Sequence, residues 1–360
     1  MLAEPQQAIE RLLAWFASNQ RDLPWRRDRS PYSVLVSEIM LQQTQVSTVI
    51  PYYLRFMEAF PDLCALAAAP LDRVLAQWRG LGYYARARSL HRAAIILCDE
   101  YEGVLPDDPA ILRTLPGIGE YTAGAILSIA FGQDVPAVDA NVARVLSRLC
   151  DDPSDPRTPA GKRRLVELAR ALLPLGRTGA FNEAMMELGA LVCSSAAPRC
   201  ELCPLAGDCL ALEHGTIAQR LVTSSKKERP TRQYVCLLDQ ADGRVLLVRR
   251  LAHGLLGGLW ELPGGELLSD EDARVGMARI LADDLSMSLS GAEVLGEVRH
   301  GYTHFTVEVA VLRGEARGTP QPAGGWDAWV RASEHDLPSY GLTGVATRAL
   351  ALADIVVAHN

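Results

Sequence analysis

The stretch Leu115-Pro116-Gly117-Ile118-Gly119-Glu120-Tyr121-Thr122-Ala123-Gly124-Ala125 lies between two segments with helical periodicity. It is not a dinucleotide-binding fingerprint, because a helix precedes it and Thr122 stands where the third glycine should be; it also lacks a P-loop lysine. Gly117 and Gly119 let the backbone approach a partner closely, and the helix after Gly119 offers free N–H groups to a phosphate. The pattern predicts either a helix–hairpin–helix element at about 112–128, which grips a nucleic-acid backbone without reading bases, or an ordinary turn between helices.

The chain of 360 residues is longer than one ordinary core supports, so two domains are expected. From Pro5 to about Ala211 apolar residues recur at helical spacing, which predicts helices at 8–16, 33–60, 71–78, 85–100 and 142–149. Farther on, turns such as Asp242-Gly243 separate short β-branched runs, which predict strands at 234–238, 245–249, 292–299 and 306–312. We therefore predict an all-α domain at 1–212, a basic interdomain linker at 213–232 and an α+β domain at 233–360.

The formal net charge of −7 argues mildly against a bulk nucleic-acid binder, which is usually basic. Local basic stretches weaken this objection, because a patch can bind phosphate on an acidic protein. The two stretches consist of Arg86, Arg88 and Arg92, and of Arg220, Lys226, Lys227, Arg229 and Arg232. The N-terminus carries Glu4 and Glu10 without a basic region, and no apolar run approaches the roughly 20 residues of a membrane span. We expect a cytoplasmic protein without membrane contact.

Four of the eight cysteines cluster as Cys193-x6-Cys200-x2-Cys203-x5-Cys209. Disulfides are rare in a reducing compartment, where four closely spaced thiolates hold a metal ion or an iron–sulfur cluster. The spacing alone does not separate a [4Fe–4S] cluster from a zinc site with four cysteine ligands. The remaining cysteines stand singly among apolar neighbours and are expected in the core: Cys64, Cys98, Cys150 and Cys236.

Two carboxylates are candidates for catalysis. Glu38 has Val34 and Leu35 one helical turn before it, so its carboxyl should lose solvation, which raises its pKa and suits it to donate a proton. The alternative is a salt-bridged or helix-boundary glutamate. Asp139 precedes a helical segment as an expected N-cap, which keeps a carboxylate ionised and fixed in direction, and this role alone would explain it. A neutral Glu and an anionic Asp nevertheless resemble the pairs that cleave glycosidic bonds.

The chain contains, in order, LPWR (23–26), SEIMLQQTQV (37–46), GLGYYARAR (80–88), LPGIGEYTAGAI (115–126), VDANVARVL (138–146), FNEAMMELGALVC (181–193) and the cysteine run. These motifs resemble the MutY family of adenine DNA glycosylases, part of the wider helix–hairpin–helix superfamily that includes endonuclease III. The resemblance implies an all-α glycosylase domain with a [4Fe–4S] cluster held by the four cysteines. In this family the cluster is structural: it shapes a loop that contacts DNA.

The resemblance also implies a single activity. Relatives that also cut the DNA strand, such as endonuclease III, carry a Schiff-base lysine two residues after the second hairpin glycine. That position is Tyr121 here, and no lysine lies between Met1 and Gly161. We therefore expect a monofunctional glycosylase that acts, as a monomer, on double-stranded DNA with 8-oxoguanine·adenine or guanine·adenine mispairs.

In the family mechanism, residues that match the motifs take the catalytic roles. Glu38 would protonate adenine at N7, and Asp139 would stabilise the oxocarbenium-like sugar before water completes the hydrolysis. Asn141 and Tyr121 would position these groups. The resemblance assigns Gly117 and Gly119 to a DNA phosphate. It places Trp25, Arg26 and Glu183 around the extruded adenine, and Gln43 and Tyr83 around the oxidised guanine. Glutamine often occupies the position of Glu183 in the family.

Residues 233–360 resemble the Nudix-like C-terminal domain of the family, which recognises 8-oxoguanine. Where a Nudix hydrolase has the first metal-binding glutamate after the arginine, this chain has Ile280, so we predict a scaffold without hydrolase activity. A loop of the family that touches the oxidised guanine corresponds to Tyr302-Thr303-His304, which makes Thr303 and His304 candidate contacts. On the strand pattern alone, His304 is expected to be an ordinary strand histidine.

Three other functions are compatible with parts of the sequence. An endonuclease III-like lyase acting on oxidised pyrimidines would need the missing lysine. A non-catalytic DNA-damage binding protein with a redox cluster would not need both Glu38 and Asp139. Residual hydrolysis of oxidised nucleotides by residues 233–360 would require metal binding despite Ile280.

Overall fold

The structure is a computed structural model that describes residues 4–220, 229–254, 256–302 and 304–357. Contacts along the chain divide it into two compact units, Met1–Ala67 with Arg92–Ser225, and Ala68–His91 with Lys226–Asn360. Residues 68–91, which helical periodicity predicts in the first domain, fall in the second unit. Within the second unit, Asp72 accepts a hydrogen bond from Trp260 Nε1 at 3.2 Å, and an Arg88 guanidinium nitrogen donates to the Gly257 carbonyl at 2.7 Å. These contacts account for the grouping of residues 68–91.

The first unit is helical. Its helices are α1 (Pro5–Asn19), α2 (Pro24–Arg27), α3 (Pro31–Leu41), α4 (Val46–Ala59), α5 (Leu63–Ala68), α8 (Pro109–Leu112), α9 (Glu120–Ile129), α10 (Ala140–Leu149), α11 (Pro159–Ala171), α12 (Thr178–Leu191) and α13 (Leu210–Glu213). Helix α6 (Leu71–Gln77) belongs to the second unit, and α7 (Ala85–Glu100) contributes residues to both. The helix expected at 33–60 is interrupted between α3 and α4, where Gln43 has a φ of +58°. None of the helices in the described ranges has the length and apolarity that a bilayer crossing requires.

Prolines and short polar residues determine where several of these helices begin. A proline in the first turn has no N–H to leave unpaired, and a Ser, Thr or Asp before it accepts a bond from a free N–H group. Helices α3, α8 and α11 combine both features, with the pairs Ser30 and Pro31, Asp108 and Pro109, and Thr158 and Pro159.

The core of the first unit joins the N-terminal helix to the helices that carry the predicted site. Buried apolar residues of α1, α10, α11 and α12 form one cluster that includes Phe16, Leu146, Leu165, Phe181 and Leu188. Gly189 of α12 allows this close packing, because a Cβ at that position would lie 2.6 Å from the Cβ of Asn141. The packing therefore brings α12 against the start of α10.

The second unit contains one mixed sheet and one antiparallel sheet. Its strands are β1 (Thr231–Leu238), β2 (Gln240–Ala241), β3 (Arg244–Arg250), β4 (Trp260–Glu261), β5 (Gly264–Glu266), β6 (Ser288–Gly301), β7 (Thr306–Arg317) and β8 (Trp326–Ser333). One sheet has the order β5-β1-β7-β6, with β1 and β7 parallel; in the other, β3 pairs with β2, β4 and β8. Helices α14 (Ala273–Leu285) and α15 (Gly344–Ala351) complete the unit.

Alternating side chains of β1 contribute to two different cores of this unit. Val235 and Leu237 pack in the cluster that includes α14, whereas Cys236 and Leu238 pack in the cluster that includes α15. This two-residue period is what a strand covered on both faces requires. The predicted turn at Asp242-Gly243 is confirmed between β2 and β3, with φ values of +51° and +70°.

Two expectations about single residues are wrong. His304 is exposed in the turn between β6 and β7, because β6 ends at Gly301 and β7 begins only at Thr306. Cys64 is exposed rather than in the core, and its sulfur lies 3.3 Å from that of the half-buried Cys98. Part of the predicted linker, including Lys226 and Lys227, lies outside the described residues, and so does Thr303.

Candidate active site

Glu38 is the proton-donor candidate. It lies in α3 with only 6% of its surface exposed. Burial raises the pKa of its carboxyl to about 7; a hydrogen bond from Tyr121 opposes the rise, and the nearby carboxylates of Asp139 and Glu183 add to it. The Oε2 atom is buried without a hydrogen-bond partner among the described residues. The sequence-based expectation of a raised pKa is met, and a substrate atom could satisfy Oε2.

Tyr121 stands at the start of α9, directly after the glycine hairpin. Its hydroxyl hydrogen-bonds the Glu38 carboxyl and lies 3.6 Å from the sulfur of Met186 in α12. Burial and the neighbouring carboxylates raise the pKa of this phenol well above its ordinary value, so it remains a donor. The hairpin thus places a neutral hydroxyl beside Glu38.

Asp139 is the N-cap of α10, as predicted. Its Oδ1 accepts the backbone N–H of Val142 at 2.7 Å, and its Oδ2 accepts from the Asn141 side chain at 2.9 Å. These bonds and the charge of Arg144 lower the pKa of the carboxyl, but burial outweighs them and the net shift is upward. The cap therefore fixes the direction of the carboxylate without depressing its pKa, contrary to the usual effect of a cap.

Arg144 connects this end of α10 to the cysteine loop. It donates from Nη2 to Asn141 Oδ1 at 2.8 Å and to the Gly189 carbonyl at 2.9 Å, and from Nε to the Cys193 carbonyl at 2.8 Å. A continuous series of hydrogen bonds therefore runs from Asp139 through Asn141 and Arg144 to the first cysteine. Arg144 has no predicted role, although it lies five residues after Asp139 in the motif VDANVARVL (138–146).

The four loop cysteines follow α12 and surround two short 3₁₀ helices, Cys200–Leu202 and Ala206–Asp208. None of these four cysteines is in a disulfide, and burial, followed by the charges of the other loop cysteines, raises the pKa of Cys203 to about 11. The buried Arg148 donates to Cys193 Sγ at 3.4 Å. No three His, Cys, Asp or Glu side chains in the described ranges form a group that could hold a metal ion.

An ion-pair network surrounds Glu183, which the sequence assigned to the base pocket with Trp25 and Arg26. Arg26 Nε lies 3.2 Å from Glu183 Oε1, and Arg29 lies 3.0 Å from Oε2. Burial raises the pKa of Glu183, while both arginines oppose the rise. Trp25 packs edge-on against Tyr53, with ring centroids 5.3 Å apart.

Glu187, one helical turn after Glu183, extends this network, which sequence reasoning missed. It accepts hydrogen bonds from Arg21 at 2.7 Å and from Arg26 at 3.0 Å. Burial alone would raise the pKa of Glu187, but these arginines lower it to about 2. The i, i+4 spacing of the two glutamates on α12 was the available signal, because it places both on one helix face.

Gln43 and Tyr83, assigned to the oxidised guanine, both have left-handed backbones, with φ values of +58° and +49°. This conformation costs a non-glycine residue energy and is concentrated at functional sites. Tyr83 is 44% exposed, and the Arg86 guanidinium lies 5.4 Å from its ring centre. The neighbouring Gln42, to which no role was assigned, donates to the Thr122 hydroxyl at 3.3 Å after the hairpin.

The hairpin itself has the geometry that the sequence predicted. Gly117 has a φ of +83°, and Gly119 is the N-cap of α9. No side chain in the described part of the chain caps this helix, so the N–H groups of its first turn are available to an anion.

In the second unit, Ile280 is 3% exposed and belongs to the apolar core. Ile280 packs closely against Gly265, because a Cβ added at that glycine would lie 3.1 Å from Ile280 Cδ1. Glu271 forms an ion pair with Arg279, with a nitrogen–oxygen distance of 2.7 Å. Tyr302 precedes the exposed His304, and its ring packs against those of His300 and Phe305, with centroids 4.7 and 5.0 Å away.

Comparisons with known families agree with this arrangement. Residues 36–181 match the family described as HhH-GPD superfamily base excision DNA repair protein, and residues 234–352 match the NUDIX domain. The solved structure of a thermostable thymine-DNA glycosylase is 29% identical in sequence to this chain and superposes on it with a TM-score of 0.54. The match covers 59% of this chain and 97% of the glycosylase chain. The solved structure of a trapped endonuclease III–DNA covalent intermediate is 25% identical in sequence and superposes with a TM-score of 0.51. This match covers 60% of this chain and 99% of the endonuclease III chain. The fold and site therefore define a base-excision DNA repair protein with an appended Nudix-like domain.

Full-length relatives narrow this class. The adenine DNA glycosylase of Homo sapiens is 36% identical over 376 residues, which cover 87% of this chain and 68% of the relative. The adenine DNA glycosylase of Mycolicibacterium smegmatis is 44% identical over 227 residues, which cover 61% of this chain and 76% of the relative. The chain belongs to the adenine DNA glycosylase family.

Proposed function

We propose that this chain is a monofunctional glycosylase that hydrolyses the N-glycosidic bond of adenine paired with 8-oxoguanine or guanine in double-stranded DNA. The observation that carries the proposal is the pair of carboxyls at the hairpin. Glu38 has a pKa of about 7 and a buried oxygen without a partner, whereas Asp139 is fixed by two hydrogen bonds. Two carboxyls in different environments are what acid-assisted glycosidic cleavage requires.

Each residue of the pair has a distinct role in this proposal. Protonated Glu38 gives its proton to N7 of the extruded adenine, which makes the base a better leaving group. Tyr121 holds the Glu38 carboxyl in place, and Asp139, oriented by Asn141, stabilises the positive charge that develops on the sugar. Trp25, Arg26 and Glu183 line the adenine pocket. Extruding the base costs a few kcal/mol, so a mispaired site is easier to open.

Contacts with DNA outside the base pocket come from several segments. The open N–H groups of the helical turn that follows Gly119 bind a backbone phosphate, and the positive φ of Gly117 shapes the turn before it. Gln43 and Tyr83 are proposed to contact the oxidised guanine, and the family resemblance also assigns Thr303 and His304 to that base. We retain the domain limits 1–212 and 233–360 with a linker at 213–232, and a monomeric enzyme in the cytoplasm.

The four cysteines of the loop are proposed to hold a [4Fe–4S] cluster. The donor set fits, because four thiols lie close enough for their charges to act on one another, and Arg148 offsets negative charge beside Cys193. Cys193, Cys200, Cys203 and Cys209 would hold the cluster through their thiolates. The cluster would stabilise the loop rather than take part in the cleavage. A brown protein absorbing near ~400 nm would support it, since zinc–thiolate sites are colourless.

Single-turnover cleavage of a duplex with one 8-oxoguanine·adenine pair tests the function, beside the same duplex with thymine·adenine. We expect adenine release from the first duplex alone, and strand breakage only after hot alkali. Strand breakage without alkali, with a product trapped by borohydride, would instead indicate a lyase.

Two matched variants assign the proton donor. Glu38→Gln should keep mispair binding and lose cleavage by orders of magnitude, whereas Glu58→Gln makes the same change at an exposed position of α4 and should retain the rate. Cleavage that persists in Glu38→Gln would show that the donor is misassigned.

A further inference from the structure

A pair of thiols outside the cysteine loop has no role in the proposed cleavage. Cys64 lies in α5 and Cys98 near the end of α7, and their sulfur atoms are 3.3 Å apart. Cys64 is exposed and Cys98 half-buried, and both are free. An exposed thiol with a second thiol in contact is the arrangement in which a disulfide forms by exchange.

The turn after α7 provides the space for the two sulfurs. Gly103 has a φ of +73°, and its N–H bonds the Leu97 carbonyl at 2.9 Å. A Cβ at this position would lie 2.7 Å from Cys64 Sγ and 3.8 Å from Cys98 Sγ. Only glycine therefore combines the left-handed turn with room for both sulfur atoms.

We propose that Cys64 and Cys98 form a thiol–disulfide modification site that reacts with low-molecular-weight disulfides. The Cys64 thiolate attacks one sulfur of the reagent, so a mixed disulfide forms and the other half of the reagent leaves as a thiolate. The Cys98 thiolate then attacks Cys64 Sγ, which forms the Cys64–Cys98 bond and releases the second half. The protein loses two electrons and two protons, and the reagent is reduced to two thiols.

The surroundings determine which step is slower. Burial, the neighbouring Cys64 and the carboxylates of Asp99 and Asp62 raise the pKa of Cys98 to about 11. Little of Cys98 is a thiolate at neutral pH, so ring closure should accelerate as the pH rises, by up to tenfold per unit. The first step is open to solvent at the exposed Cys64.

Peptide mapping of the full protein tests this proposal after incubation with oxidised glutathione at pH 7 and pH 9. We expect a peptide of Cys64 joined to a peptide of Cys98, formed faster at pH 9 and returned to two thiols by dithiothreitol. In Cys98→Ser, glutathione should remain attached to Cys64, because the resolving thiol is missing. Cys150→Ala, which removes a half-buried cysteine elsewhere, should form the same cross-link as the unmodified chain.

Three results would overturn the proposal. The unmodified chain could carry separate glutathione adducts on Cys64 and Cys98, or both cysteines could remain thiols while other cysteines react. A glutathione adduct on Cys64 that is as stable in the unmodified chain as in Cys98→Ser would equally show that Cys98 does not resolve it.

Discussion

The burial of Glu38 should cost the folded protein stability at neutral pH, and Glu38→Gln should recover it. The pKa of the carboxyl rises from 4.5 to about 7 in the folded state, so the folded protein holds a proton that the unfolded chain releases in this range. Below pH 4.5 the carboxyl is protonated in both the folded and the unfolded state, so the stability penalty is absent. The penalty grows as the pH rises toward 7. Each pKa unit between the two states corresponds to about 1.4 kcal/mol, so the full penalty on the free energy of unfolding is about 3 kcal/mol.

Glutamine resembles the protonated carboxyl and carries no charge, so the variant should escape this penalty. Measured by thermal unfolding of both proteins between pH 4.5 and 8, the stability difference should be near zero at the acid end and level off above pH 7. At the plateau Glu38→Gln should melt roughly 6–12 °C higher. Glu58→Gln, the exposed match, should show no pH-dependent difference. A difference that does not change with pH, or a Glu38→Gln variant that is less stable at pH 8, would refute the reasoning.

Three further outcomes are expected. The single-turnover rate should fall about tenfold per pH unit above pH 7, where Glu38 loses its proton. Tyr121→Phe removes a hydrogen bond to the carboxylate, so the decline in rate should begin at a pH higher by roughly half a unit to one unit. A flat pH–rate profile would contradict both expectations. Arg144→Met should lower both the rate and the iron content per chain, whereas loss of only one would show that Asp139 and the cysteine loop are not coupled. Ile280→Glu should destabilise the second unit by about 3 kcal/mol or more, seen in urea unfolding of that unit, because it buries a charge in an apolar core.

Local sequence was enough to predict those parts of the site that depend on one element. The apolar neighbours of Glu38 lie on its own helix, so its raised pKa followed from helical spacing. The cap formed by Asp139 and the turn at Gly117 follow from residue types whose backbone preferences are strong. The size of the burial effect on Asp139 did not follow, because it depends on helices distant in sequence.

The features that were missed all arise from tertiary packing. Nothing in the sequence near Arg21 or Arg26 indicates that α12 presents Glu187 to them, more than 150 residues later. The contact between Cys64 and Cys98 likewise depends on how α5 meets the end of α7. The grouping of 68–91 with the second unit could not be predicted from helical periodicity, which assigns a helix but not its neighbours.

The network around Glu183 explains how a third carboxyl can stand near the two catalytic candidates. An unpaired negative charge at Glu183 would raise the pKa of Glu38 further, because like charges disfavour ionisation of their neighbours. Arg26 and Arg29 pair with Glu183 and offset that charge, while Arg21 and Arg26 together keep Glu187 ionised. The arginines thus limit the electrostatic effect of α12 on Glu38. Glutamine at position 183, frequent in the family, would remove the charge and leave less for these arginines to neutralise. Glu183 and its arginines therefore act as one unit, in which Arg26 and Arg29 offset the negative charge that Glu183 adds beside Glu38.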